Sequence, residues 1–141
     1  MRFLVACAVA LLLSTADSAR AAEATLSVEV PAARWKAVRL KNLPKGTSVA
    51  LQIVASGAIR VIVVDSTELK RFPNTRPLFE ATVDSRLGFS VVIPRSDDYY
   101  VVFDNRAATD ARQVRMRVRA EAPRRTPPKP APSPQDSLEK T

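Results

Sequence analysis

The chain has 141 residues and a net charge of +8, with no histidine, one cysteine and three glycines. The lack of histidine removes the commonest general base and transition-metal ligand, and a single cysteine cannot form an intramolecular disulfide. So few glycines also argue against a glycine-rich phosphate-binding loop. The composition therefore favours binding over catalysis.

Residues 1–21 have the three parts of a secretory signal peptide. Arg2 supplies positive charge, residues 3–13 form the apolar run FLVACAVALLL, and Ala19-Arg20-Ala21 is a small-x-small cleavage pattern. The apolar run contains the only cysteine and is shorter than the roughly 20 residues that a membrane-spanning helix needs. We therefore predict a signal peptide at 1–21, export to the periplasm or the cell exterior, and no membrane-spanning segment.

Apolar and polar residues alternate with period two between residues 24 and 120, which is typical of half-buried strands. The run 99–103 is apolar throughout, which predicts a central position in a sheet. No stretch has a persuasive helical period. The strand-like runs are 26–30, 49–53, 59–64, 89–93, 99–103 and 114–118.

Turn residues separate these runs, at 44–46, 56–57, 65–67, 73–74, 94–97 and 104–105. Seven or eight short strands at this spacing predict an all-β fold, a single antiparallel β-sandwich at 22–121. Residues 122–141 hold six of the eleven prolines and one large apolar residue, Leu138. Such a segment cannot bury enough apolar surface to offset its ordering entropy, which predicts a disordered basic tail.

Three segments resemble GOLD-type domains and bacterial pre-peptidase C-terminal domains. They are LPKG at 43–46 before the strand SVALQIV, IRVIVVD at 59–65, and YYVVFDN at 99–105 before the strand at 113–120. The resemblance covers nearly all of residues 24–120. It implies a jelly-roll-like sandwich that serves as a non-catalytic accessory or interaction module, and it identifies no ligand.

Alternation in the last predicted strand puts Arg115, Arg117 and Arg119 on one face, about 7 Å apart. A row of guanidinium groups suits bidentate contact with carboxylates or phosphates. Arg112 precedes the row, and Trp35 is a further candidate partner contact. The alternative for the row is a solvated face that protects an edge strand, and the alternative for Trp35 is a cover over the core.

The carboxylates Asp97, Asp98 and Asp104 are the remaining candidates for chemistry. Adjacent strand residues point to opposite faces, so Asp97 and Asp98 cannot act as a pair on one substrate. Asp104 with Asn105 is typical of a turn. The sequence has no calcium-loop pattern, and we predict no metal and no cofactor.

Taken together, these features predict an exported module, not an enzyme, whose basic strand face binds an envelope protein or an anionic polymer or lipid surface. Nucleic acid is not expected, because the protein is predicted to be exported and has no recognisable nucleic-acid-binding module. Two alternatives remain open. One is a small carbohydrate- or Ca²⁺-binding module or hydrolase that uses the three aspartates. The other is a structural subunit of an envelope assembly, paired through an edge strand.

Overall fold

The computed structural model describes residues 21–123, which form eight strands and one short helix. The strands are β1 (Ala22–Val30), β2 (Trp35–Leu43), β3 (Ser48–Ala55), β4 (Ile59–Asp65), β5 (Phe79–Val83), β6 (Arg86–Val92), β7 (Asp97–Asp104) and β8 (Arg112–Glu121), and the helix α1 is Ser66–Leu69. Residues 1–20 and 124–141, where most of the predicted signal peptide and tail fall, lie outside the described residues. No helix within residues 21–123 is long and apolar enough to cross a membrane.

The strands form two antiparallel sheets of four. Sheet A has the order β1-β8-β3-β6, and sheet B has the order β2-β7-β4-β5. The first strand pairs with the last, the second with the seventh, the third with the sixth and the fourth with the fifth. Two four-stranded sheets connected in this way form a jelly roll. The predicted all-β sandwich is confirmed.

The main core lies between the two sheets and takes alternate residues from their strands. β8 shows the alternation most clearly, because buried Val114, Met116 and Val118 are separated by exposed residues. Tyr99 on β7 is also buried, and its hydroxyl donates a hydrogen bond to the carbonyl of Arg95 at 2.7 Å. Burial raises the pKa of the Tyr99 phenol.

A second apolar cluster covers the outer face of sheet B. Ile62, Val64 and Val102 are buried on the side of β4 and β7 that faces away from the main core. The residues packed over them come from β2, β7 and the segment between β4 and β5: Trp35, Ala37, Leu69, Phe72 and Tyr100. This second layer explains why β4 and β7 are apolar on both faces, and β7 is an internal strand as predicted.

The segment between β4 and β5, residues 66–78, is called the cover segment below. It begins at α1, where the sequence predicts only a turn at residues 65–67. The Asp65 carboxylate accepts a hydrogen bond from the Glu68 backbone N–H at 2.8 Å and so caps the first helical turn. The same carboxylate accepts from Arg95 Nη2 at 2.6 Å, which ties the start of the cover segment to the loop before β7.

Candidate functional site

Arg115, Arg117 and Arg119 lie in a row on the outer face of sheet A. All three are exposed and alternate with the buried residues of β8. β8 is an internal strand between β1 and β3, so the row does not protect an edge strand, and a solvated outer face is what remains of that alternative. The row therefore occupies the middle of a sheet face rather than its border.

Mostly short side chains surround the row. The β1 residues opposite Arg115, Arg117 and Arg119 are Ser27, Thr25 and Glu23, and the β3 residues opposite them are Val54, Gln52 and Ala50. β6 completes this side of the sheet with Arg86, Gly88, Ser90 and Val92. The exposed outward side chains of these four strands are called the arginine face below.

Carboxylates on the arginine face pair with two of the three arginines of the row. Arg117 forms an ion pair with Glu23 of β1, and Arg119 Nη2 lies 3.2 Å from Glu121 Oε1. Arg115 has no carboxylate within 4 Å among residues 21–123. Exposed ion pairs contribute at most about 1 kcal/mol to stability. The arginine row is therefore not explained by its contribution to folding.

Two valines are exposed on the same face. Val92 is 64% exposed and Val54 is 44% exposed, and Val54 lies opposite Arg115 and Arg86. These valines are not among the partner contacts predicted from the sequence. The pattern that could have identified them is a pair of consecutive apolar residues whose second member points outward. These pairs are Ile53-Val54 in β3 and Val91-Val92 in β6. Arginine beside exposed apolar side chains is a composition found in protein–protein interfaces.

Arg112 and Trp35 lie away from the arginine face. Arg112 is out of phase with the row, and its Nε donates to the carbonyl of Ala58 at 3.2 Å. Trp35 packs against Phe72 of the cover segment, with ring centroids 4.8 Å apart. The structure thus brings the three arginines of the row together but does not bring Arg112 or Trp35 to them. The partner-contact roles of all five residues stay predictions.

Asp98 and Asp97 are held by hydrogen bonds at the start of β7. Asp98 accepts from the Asn42 backbone N–H at 2.7 Å and pairs with Arg39, so the pKa of its carboxyl lies below the ordinary value. Arg39 belongs to β2 and therefore does not share the arginine face. Asp97 accepts from Ser66 Oγ at 2.9 Å. Both carboxylates thus have contacts within the protein that account for them.

Asp104 forms the turn at the other end of β7. It accepts from Arg106 Nε and Nη2, both at 2.9 Å, and from the Arg106 backbone N–H at 3.1 Å. Burial raises the pKa of Asp104, but the hydrogen bonds from Arg106 and the charges of Arg106 and Arg60 outweigh burial and keep the pKa below its ordinary value. These contacts agree with the interpretation of Asp104 as a turn residue.

The aspartates do not form a common site. Asp98 and Asp104 are six positions apart along β7, which corresponds to about 20 Å. A glycosidase needs two carboxyl groups about 5–10 Å apart. Within residues 21–123, no three histidine, cysteine, aspartate or glutamate side chains are grouped so that they can hold a metal ion.

No protein-family model matches the chain, and no curated protein matches it. Similar solved structures include PliG of Aeromonas hydrophila, a periplasmic lysozyme inhibitor of g-type lysozyme. The two chains are 16% identical with a TM-score of 0.48, and the match covers 74% of this chain and 90% of PliG. A Bacillus endospore appendage structure has 13% identity and a TM-score of 0.46, with the same coverage of 74% and 90%. A CBM4 structure has 8% identity and a TM-score of 0.42, covering 70% and 71%. Likenesses this weak assign neither family nor function, and the resemblance to GOLD-type and pre-peptidase C-terminal domains stays a prediction.

Proposed function

We propose that this chain is an exported, non-catalytic binding module whose arginine face contacts a protein of the cell envelope. One observation carries the proposal: Arg115, Arg117 and Arg119 lie in the middle of a sheet face that no other part of residues 21–123 covers, with two exposed valines beside them. Export is supported by the predicted signal peptide, and β1 begins at Ala22, directly after the predicted cleavage position.

A protein partner fits this face better than a uniformly anionic surface. Glu23, Glu29 and Glu121 lie on the arginine face together with the arginines, so the face carries both signs of charge. An anionic polymer or lipid surface would repel these glutamates, whereas a folded partner can place its own charges to complement them. The expected partner surface has a carboxylate that can reach Arg115 and an apolar patch opposite Val54.

Site-specific photocrosslinking in the native host tests the proposal. A photoreactive amino acid replaces Val54 in the full-length chain, and a matched variant carries it at Lys70, which is exposed on the cover segment. We expect a discrete protein adduct from position 54 and none from position 70. Either Arg115→Glu or Arg117→Glu should remove the adduct while the melting temperature is retained, and added salt should weaken it.

The competing outcomes are distinct in this experiment. Equal adducts from positions 54 and 70 would contradict a specific face. If the position-54 adduct survives both charge reversals, the arginine row is not the contact. Salt-sensitive binding to vesicles containing anionic lipid, with no protein adduct, would instead favour the anionic-surface alternative.

A structural role through an edge strand is the second candidate, and the regularity of β1 favours it. β1 is an edge strand that pairs in unbroken register with β8 over all nine of its residues, without a bulge. A long regular edge is a template for strand addition. Light scattering on the purified protein should then show assemblies that Ala24→Lys, an inward charge on this edge, disperses to monomers. A wild-type protein that is monomeric at all concentrations would exclude this role for self-assembly.

A further inference from the structure

A second group of arginines surrounds a cleft at one end of the sandwich. The cleft has a volume of about 500 Å³, and its walls come from β4, β5, the turn before β4 and the connection from β7 to β8. This volume lies within the range of pockets that hold small molecules, about 300–1,000 Å³. Its charged lining residues are Arg60, Arg106, Arg112 and Asp104.

Arg106 is fixed in place by two independent contacts. Its guanidinium group forms the two hydrogen bonds to Asp104 described above, and its central carbon lies 4.7 Å from the centroid of the Phe72 ring. A guanidinium group carries five N–H donors, and these hydrogen bonds use two of them. Arg106 is therefore held in position, and these two hydrogen bonds leave three of its N–H donors for other acceptors.

Arg60 is also held by carboxylates, whereas Arg112 has a single contact with the backbone. Arg60 pairs with Glu80, and its Nη1 lies 3.8 Å from Asp104 Oδ2. Arg112 uses one donor, Nε, on the carbonyl of Ala58, and among residues 21–123 it has no carboxylate within 4 Å. Arg112 thus contributes a positive charge that no acidic side chain of the described chain neutralises.

Gly57 lets Arg112 occupy this position. A Cβ atom added at Gly57 would lie only 2.7 Å from Arg112 Nε and 2.8 Å from its guanidinium carbon. Any larger residue at position 57 must therefore displace the Arg112 side chain. An uncharged side chain at position 57 therefore moves the end of the flexible Arg112 side chain while leaving the net charge of the protein unchanged.

We propose that this cleft binds a small organic anion through a carboxylate or phosphate group, with Arg112 as the principal contact and Arg60 and Arg106 in support. Three arginines against Asp104 in the lining and Glu80 beside Arg60 leave a net charge of +1, which is the charge of Arg112. The guanidinium groups of Arg106 and Arg60 are already held by carboxylates and lose little conformational freedom on binding, and the planar fork of all three arginines matches carboxylates and phosphates. The methyl groups of Ala58 and Ala108 are available to the uncharged body of the ligand. None of this depends on the arginine face.

The test titrates the full-length protein with three probes of one sugar body: glucose 6-phosphate, glucuronate and glucose. Nitrogen-15 NMR of the arginine Nε–H groups reports on each cleft arginine. We expect saturable shifts at Arg112 and Arg106 with at least one anion and none with glucose. The responding anion shows whether phosphate or carboxylate is preferred.

Two variants and one control decide whether the cleft is responsible. Arg112→Gln keeps a hydrogen-bond donor but loses the charge, and should raise the dissociation constant at least about tenfold, equivalent to about 1.4 kcal/mol. Gly57→Ala leaves the net charge unchanged and displaces Arg112, and should also weaken binding severalfold. Arg117→Gln removes the same charge from the arginine face and should leave the dissociation constant within about twofold.

Three results would overturn the inference. The first is no saturable shift with either anion up to about 10 mM, which is already weaker than a specific small-molecule site. The second is a loss of affinity in Arg117→Gln equal to that in Arg112→Gln, which would show a non-specific charge effect. The third is an unchanged dissociation constant for the anion in Gly57→Ala, although the NMR signal of the Arg112 Nε–H group shows that the side chain has been displaced. Gly57→Ala also keeps the test decisive if Arg112→Gln fails to fold.

Discussion

The two outer faces of the sandwich differ, although both belong to four-stranded antiparallel sheets. The outer face of sheet A is polar and uncovered within residues 21–123, whereas that of sheet B carries a second apolar cluster beneath the cover segment. The difference is visible in the sequences of the internal strands. β8 alternates strictly between buried and exposed residues, and β4 has four consecutive buried residues from Val61 to Val64. A covered face requires apolar side chains on both sides of a strand.

This contrast separates residues that act in folding from residues that are available for contact. Around sheet B, polar side chains such as Asp98 and Asp65 have hydrogen-bond partners that position the loops and the cover segment. On the arginine face, the pairing is partial: among the described residues Arg115 has no carboxylate within 4 Å, and Val54 and Val92 are exposed. The difference directs the search for a partner to sheet A.

The largest expected effect comes from placing the same charge on each face. Val102→Glu buries a carboxylate beneath the cover segment, where the wild-type side chain is 0% exposed, and should cost more than about 4 kcal/mol or unfold the domain. Val54→Glu puts it beside Arg115 and Arg86 and should change stability by no more than about 0.5 kcal/mol. Urea unfolding followed by circular dichroism measures both. Similar losses in the two variants would break the contrast between the faces.

Removing part of the cover should have the next largest effect. Phe72→Ala takes away the ring that packs against Trp35 and should cost about 2 kcal/mol, less than for a fully buried phenylalanine because Phe72 is half-buried. Trp35 is the only tryptophan, so its fluorescence reports on the cover, and we expect a shift to longer wavelength. Leu78→Ala, at a side chain 38% exposed, should leave the emission unchanged.

A smaller effect should appear in the acid range. The pKa of Asp98 is lowered by the Asn42 N–H and Arg39, so its contribution to stability is complete above its unfolded value of about 3.9 and is lost as the pH falls through the folded value. Asp98→Asn removes this contribution, below about 1 kcal/mol after solvent screening. Melting temperatures between about pH 6 and pH 2.5 should fall less steeply in Asp98→Asn than in wild type. An identical pH profile in the variant would contradict the role of these contacts, and Asp84→Asn is the exposed control.

The smallest effect is expected on the arginine face itself. A double-mutant cycle with Arg117→Gln and Glu23→Gln should give a coupling energy below about 0.5 kcal/mol, because both side chains are substantially exposed. Chemical denaturation of the four proteins measures it. A coupling above about 1.5 kcal/mol would mean that the row stabilises the sheet, which would weaken the argument that it serves contact.

The sequence predicted those features that depend on alternation within one strand. The sandwich and the common face of Arg115, Arg117 and Arg119 follow from period two, and the internal position of β7 follows from its uninterrupted apolar run. The sequence did not predict the cover segment, because the apolar residues Ile62 and Val64 indicate that a face of the sheet is covered but not which residues cover it. The position of Arg112 could not be predicted from the sequence for another reason. Its contact with Ala58 joins residues 54 positions apart, which no local pattern records.

The nested pairing of the strands also bears on the order in which the chain can fold. Among the described strands, β1 pairs only with β8, where Ala22 lies opposite Ala120, and β2 pairs only with β7. A chain delivered N-terminus first therefore has no native partner for β2 until β7 has emerged, and none for β1 until β8 has emerged. Closing such distant pairs is slow. The delay leaves the first two strands without native pairing, as suits a protein predicted to cross a membrane before it folds.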